Sequence, residues 1–100
     1  MNRSIDFDRY WGVRLSGISF DCNAMSIALD VHWTIGPEAH IASLRFNGVS
    51  RCEFDAGKIF DSEVVELISL SGEKVRGGWR VVGEMSNYEF VILCASIEEE

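Results

Sequence analysis

The stretch Ala24-Met25-Ser26-Ile27-Ala28-Leu29-Asp30-Val31-His32-Trp33-Thr34 decides the fold class. Met25, Ile27, Leu29, Val31 and Trp33 fall on one side of it, and Ser26, Ala28, Asp30, His32 and Thr34 fall on the other. Successive side chains of a strand point to opposite faces, so this period of two describes a strand with one dry face and one wet face. Upstream, Trp11, Val13 and Leu15 alternate, and Ile18 and Phe20 switch parity after Gly17. That predicts a first strand over 10–20 with a bulge or bend at Gly17. Asp21-Cys22-Asn23 is the polar turn between the two strands, and Gly36-Pro37 closes the second because proline fixes its own φ and turns the preceding residue away from helix.

Downstream, Ala42, Leu44 and Phe46 alternate until Asn47-Gly48. This pair tolerates the positive φ angles of a type I′ turn and predicts a hairpin with Val49 to Phe54 as the returning strand. Asp55 to Lys58 reads as loop. The segment 62–70 fits two patterns: Val64, Leu67 and Ile68 match a helical face, while its β-branched residues and the missing capping box favour a strand. Ser71-Gly72-Glu73 and Gly77-Gly78 bracket a mobile loop or a tight hairpin. Trp79, Val81, Gly83 and Met85 alternate, Ser86-Asn87 turns the chain, and Tyr88, Phe90, Ile92 and Cys94 alternate again. From Phe90 to Leu93 both faces are apolar, which places this strand in the middle of a sheet. Glu98 to Glu100 reads as a frayed end. About seven short strands without a convincing helix predict an all-β protein, a single domain over residues 1–100 built as an antiparallel β-sandwich or a small meander barrel.

The composition fits one core. With 47% apolar and 11% aromatic residues in 100, folding buries roughly 60–70% of the unfolded chain's surface. A formal charge of −7, from 16 acids against 9 bases, argues against a nucleic-acid partner, since phosphate binding needs clustered positive charge. Met1 to Tyr10 lacks the apolar core of a signal peptide, and no run approaches the ~20 apolar residues of a membrane span. The expectation is a cytoplasmic chain without a membrane partner. Cys22, Cys52 and Cys94 lack CxxC spacing and read as small buried or edge thiols, with no metal and no cofactor expected.

Chemistry is sparse. Asp30, His32 and Thr34 share the wet face, where an Asp-x-His pair can orient an imidazole or hold a metal; His40, across the Gly36-Pro37 turn, is placed to approach Thr34 or His32 in a hairpin. Such a site still needs a nucleophile, and the simpler reading is a solvated strand face. No GxSxG elbow, phosphate-binding loop or GxGxxG turn occurs, so the chain reads as non-enzymatic. Glu84 and Glu89 face each other across the Ser86-Asn87 turn and read as solvated strand-face acids. Charge distribution says more. From Glu53 to Glu73 there are six acids (Glu53, Asp55, Asp61, Glu63, Glu66 and Glu73) against Lys58 alone. With the aromatic Phe60 among them, Glu53, Asp55, Asp61, Glu63 and Glu66 form a candidate surface for a basic protein partner, because complementary charge accelerates encounter and a buried aromatic holds it.

The run Val65-Glu66-Leu67-Ile68-Ser69-Leu70, the stretch Trp79 to Glu84 and the run Asn87 to Glu98 resemble the closing strands of small bacterial proteins of the YxiG-like and toxin-immunity type, with Gly17-Ile18-Ser19-Phe20-Asp21 as further support. The resemblance covers the last third to half of the chain and lies in core-strand patterns, so it carries no site residue with it. It implies a stand-alone acidic cytoplasmic protein that binds a cognate toxin and neutralises it by occluding its active site or another essential surface. The alternative expectation is a small-ligand-binding barrel or sandwich with a pocket lined by Trp33, Trp79 or Tyr88. An exposed edge strand can equally make a homodimer.

Overall fold

A computed structural model of the chain describes residues 5–56, 65–86 and 88–100. A 3-10 turn over Phe7–Tyr10 precedes β1 (Val13–Asp21), β2 (Ser26–Ile35), β3 (Glu38–Asn47), β4 (Arg51–Ala56), β5 (Glu66–Val75), β6 (Gly78–Met85), β7 (Tyr88–Cys94) and β8 (Ser96–Glu99). The protein is all-β, and every ladder is antiparallel in the order β4-β7-β6-β5-β1-β2-β3-β8. Among the described residues β4 and β8 each pair on one side only, so the sheet is not closed. Among the described residues no helix is long and apolar enough to cross a membrane.

Two three-stranded meanders, β1-β2-β3 and β5-β6-β7, make up most of the sheet. Among the described residues the ladder between them is short, with Val13 paired to Leu67 and Arg14 to Glu66. Their second connection is a bent ribbon. β3 runs through residues 48–50 into β4 while β7 runs through Ala95 into β8, so β3 pairs with β8 and β4 with β7 along one nearly continuous ladder. The bonds Ala95 N to Asn47 O (2.8 Å) and Ser50 N to Leu93 O (2.9 Å) hold the two strands together round the corner. Strands that change direction by such bends are how a sheet turns over on itself. Ile27, Leu29, Val31, Leu44 and Phe46 from one half thereby meet Leu67, Leu70, Val81, Phe90 and Ile92 from the other in a single core. Truncating Phe46 or Leu44, both fully buried, to alanine costs about 3–5 kcal/mol.

The wet and dry faces of β2 fall as the alternation requires, with Ile27, Leu29 and Val31 buried and Trp33 half-buried. Met25 departs from the pattern: it lies in the turn before β2, with φ of 53° and 56% exposure. The bulge expected at Gly17 is present as a register shift between Leu15 and Gly17. Residues 66–70 are strand, while 62–64 lie outside the described residues. Of the two readings of 71–78, the tight hairpin is the one found, since β5 runs on to Val75 and β6 starts at Gly78. β7 lies between β4 and β6, as its two apolar faces require.

Two expectations are corrected. Asn47-Gly48 is a corner and not a hairpin, because β4 pairs with β7 and not with β3. A type I′ turn needs positive φ at both central residues, and here Gly48 has one (62°) while Asn47 does not. Gly48 is needed for the corner itself, since a Cβ there would stand 2.9 Å from the Ala95 Cβ. The acidic end is also not frayed. β8 pairs with β3, and Glu100 exchanges backbone bonds of 2.9 and 3.0 Å with Ser43.

Candidate functional site

The outer face of β4, β7 and β6 carries the charged side chains Arg51, Glu53, Asp55, Arg80, Glu84 and Glu89. Pairing sets three rows across these strands. Arg51, Leu93 and Arg80 lie in the first, Glu53, Val91 and Val82 in the second, and Asp55, Glu89 and Glu84 in the third. The side chains beneath, Phe54, Phe90, Ile92, Val81 and Met85, belong to the core or pack on it, so period two forces the rows outward. Both arginines are already matched. Arg51 donates from Nε to Glu53 at 3.1 Å, and Arg80 stands 3.9 Å from Glu73 of β5. Asp55, Glu84 and Glu89 are exposed and make no ion pair among the described residues. Val82, Val91 and Leu93 between these charged rows are only half-buried.

The acidic segment read from the sequence is therefore divided by the fold. Glu53 and Asp55 stand on β4, but Glu66 lies on β5 opposite Arg14 of β1, three strand positions away from β4 in the sheet. Phe60, Asp61 and Glu63 lie outside the described residues. Glu84 and Glu89 are direct cross-strand partners, as their spacing about the turn requires. What the sequence reading missed is Asp55 opposite Glu89, which joins β4 to that pair and turns two solvated acids into a row of three. No local pattern announces this, because the pairing spans more than thirty residues.

The histidines do not form a common site. The β2–β3 register pairs His32 with Ile41 and Trp33 with His40, which puts the two imidazoles on opposite faces of the sheet. His40 stacks on Trp33, with centroids 5.5 Å apart and planes at 13°, and its Nε2 is 3.7 Å from a Glu38 carboxylate oxygen. On the outer face Ser16, at the β1 bulge, shares a 2.6 Å hydrogen bond with His32 Nδ1. Asp30 instead accepts from the Ser43 hydroxyl at 2.9 Å. The grouping of Asp30, His32 and His40, weighed against a solvated strand face, is thus not formed: two separate pairs stand on one face and a stacked ring on the other.

At one end of the molecule a cleft of about 440 Å3 lies between the 3-10 turn and the ends of β2, β3 and β8, with Arg9, Tyr10, Trp33, His40 and Glu99 in its walls. The Tyr10 hydroxyl donates to the Glu99 carboxylate, and the Arg9 guanidinium stands 3.6 Å from the same carboxylate. Burial, reinforced by the Glu99 acceptor, pushes the Tyr10 phenol well above the ordinary tyrosine range. Of Trp33, Trp79 and Tyr88, the alternatives offered for the wall of a pocket, Trp33 lies in the wall of this cleft. Trp79 packs on Phe7 instead, and Tyr88 stands exposed on β7.

Cys22 and Cys52 are exposed free thiols, and Cys94 is buried and free. Among the described residues no three His, Cys, Asp or Glu side chains are grouped to hold a metal ion. In comparisons with known proteins, no family model matches the chain and no curated protein matches it.

Proposed function

We propose that the protein is a non-enzymatic binding module that docks a partner with a basic surface on the outer face of β4, β7 and β6. The observation that carries this reading is the row of Asp55, Glu89 and Glu84, one acid on each of three adjacent strands, beside arginines that already face other acids. Like charges directly opposite across strands destabilise a sheet by a few tenths of a kcal/mol each. A protein that keeps such a row gives up stability there, as functional surfaces commonly do. The row in turn attracts a basic partner over a distance and speeds encounter. The more specific form, taken from the resemblance of the C-terminal half, is an immunity-type inhibitor that neutralises a toxin by covering it.

The test is reversal of Asp55, Glu84 and Glu89 together to lysine, followed by association kinetics with the protein that co-purifies stoichiometrically from the native cell. The reversed protein associates about tenfold or more slowly at low salt, and its rate loses most of its salt dependence. Unchanged kinetics would place the docking surface elsewhere.

The end cleft favours a second reading, a small-ligand site, since its volume lies in the usual range for such pockets. Thermal-shift screening against metabolites separates the two: a concentration-dependent rise in Tm that His40→Ala or Trp33→Ala removes belongs to the cleft, and the lysine reversals leave it in place.

A further inference from the structure

The docking face has a polarity and a spacing that restrict what can lie on it. Neighbouring strands are about 4.8 Å apart, so Asp55, Glu89 and Glu84 span about 10 Å at right angles to the strands. Helical residues seven apart rise about 10.5 Å, with an intermediate position near the midpoint. Alternate residues of an extended segment advance about 6.6 Å each and cover about 13 Å over the same two steps. A helix therefore meets all three carboxylates, whereas an extended segment falls out of step by the third. An extended segment aligned with the strands meets only one acid of the row.

Along the strands the face changes character from row to row. The acidic row gives way to half-buried Val91 and Val82, with exposed Glu53 at the β4 end of their row, and then to Leu93 between Arg51, which Glu53 pairs, and Arg80. Rows of one face lie about 6.7 Å apart along a strand, so the whole gradient is about 13 Å wide, close to the 10–12 Å diameter of a helix. Depressions of about 140 and 250 Å3 flank Val91, the first reaching Glu84 and Glu89 and the second reaching Arg51 and Arg80.

We propose that the partner seats an amphipathic α-helix across β4, β7 and β6, with basic residues three and four apart over Asp55, Glu89 and Glu84, an apolar stripe on Val82, Val91 and Leu93, and an acidic or neutral edge towards Arg51 and Arg80. This rests on the docking face proposed above and adds what part of the partner occupies it. Charge complementarity then sets the direction in which the helix rolls as well as its presence.

The test uses two synthetic peptides of identical composition, titrated into the full chain labelled for amide NMR. One is a stapled helix with lysines at positions 1, 5 and 8, leucines beside them and glutamates on the far edge. The other carries the same residues with D-amino acids at alternate positions, so that it cannot form a helix. The helix shifts the amides of Val82, Glu84, Glu89 and Val91, binds at least about tenfold more tightly than the control, and loses at least about tenfold on Glu84→Lys with Glu89→Lys. Equal or tighter binding by the non-helical peptide at the same residues overturns the helix and leaves the docking face standing. Shifts confined to another surface, or no saturable shift from either peptide, overturn the helix; the kinetics of the lysine-reversed protein with its purified partner decide the face separately.

Discussion

Met25 holds a backbone conformation that L-residues seldom adopt, at φ of 53° in the turn before β2. The left-handed region costs a residue with a Cβ about 1–2 kcal/mol, and glycine occupies it freely. Because the side chain is 56% exposed, little packing opposes the change, so Met25→Gly is expected to raise stability by about 0.5–1 kcal/mol in urea unfolding. A second residue-scale outcome concerns alkali. Burial pushes the Cys94 thiol up to about 11 from 9.0, and the folded state therefore disfavours the thiolate that the unfolded chain forms more readily. A raised folded-state value contributes stability that is complete below the unfolded pKa and lost as pH rises through the folded one. Urea midpoints should fall from about pH 9 upwards, and Cys94→Val should flatten the part of that slope between 9 and 11. At this scale the sequence was readable where a residue's parity alone mattered, as for Ile27, Leu29 and Val31. It was misleading for His40, whose face depends on the register by which β3 meets β2.

Local chemistry told more about individual elements than about their neighbours. β2 was legible because one face is dry, and the Gly17 bulge because parity changes there. Asn47-Gly48 carries the same turn signal whether the chain doubles back or turns a corner, and only the distant β7 decides between them. β8 was missed for a related reason. Its acids look frayed in isolation, but the backbone of β3 supplies hydrogen bonds that the side chains do not advertise. The 3-10 turn at Phe7–Tyr10 has an equally non-local anchor, since the Phe7 ring lies over Gly72 of β5 and against Trp79 of β6, 6.0 Å between centroids. A Cβ on residue 72 would stand 2.5 Å from the ring. Gly72→Val is accordingly expected to displace Phe7 and cost about 1–3 kcal/mol, read as a lower Tm with new exchange of the amides at 7–12. Phe7→Ala combined with Gly72→Val should then cost less than the two single changes added, because both remove one contact.

For the whole molecule, the linear charge pattern and the folded one differ in the feature on which the proposed docking rests. The acids from Glu53 to Glu73 look like a single patch in sequence, yet the sheet separates Glu66 from β4 and brings in Glu84 and Glu89 from a segment read as ordinary. A net charge of −7 repels itself throughout, but at 0.1 M salt, where the screening length is about 10 Å, only close neighbours still interact strongly. The row sets three like charges on adjacent strands that make no ion pair among the described residues, so salt should act on it with opposite signs in two measurements. Raising sodium chloride from 0.02 to 0.3 M, values on the scale over which screening changes most, is expected to raise the urea midpoint by relieving repulsion between Asp55, Glu89 and Glu84. The same change slows association with a basic partner. Glu89→Gln sits at the centre of the row and should shrink both responses while raising stability at low salt by a few tenths of a kcal/mol. A control at an exposed acid of β8, Glu98→Gln, removes the same charge from the chain but leaves the row intact; it should therefore move the partner's association rate less than Glu89→Gln does. Equal effects from the two variants would assign the salt dependence to net charge and not to this face.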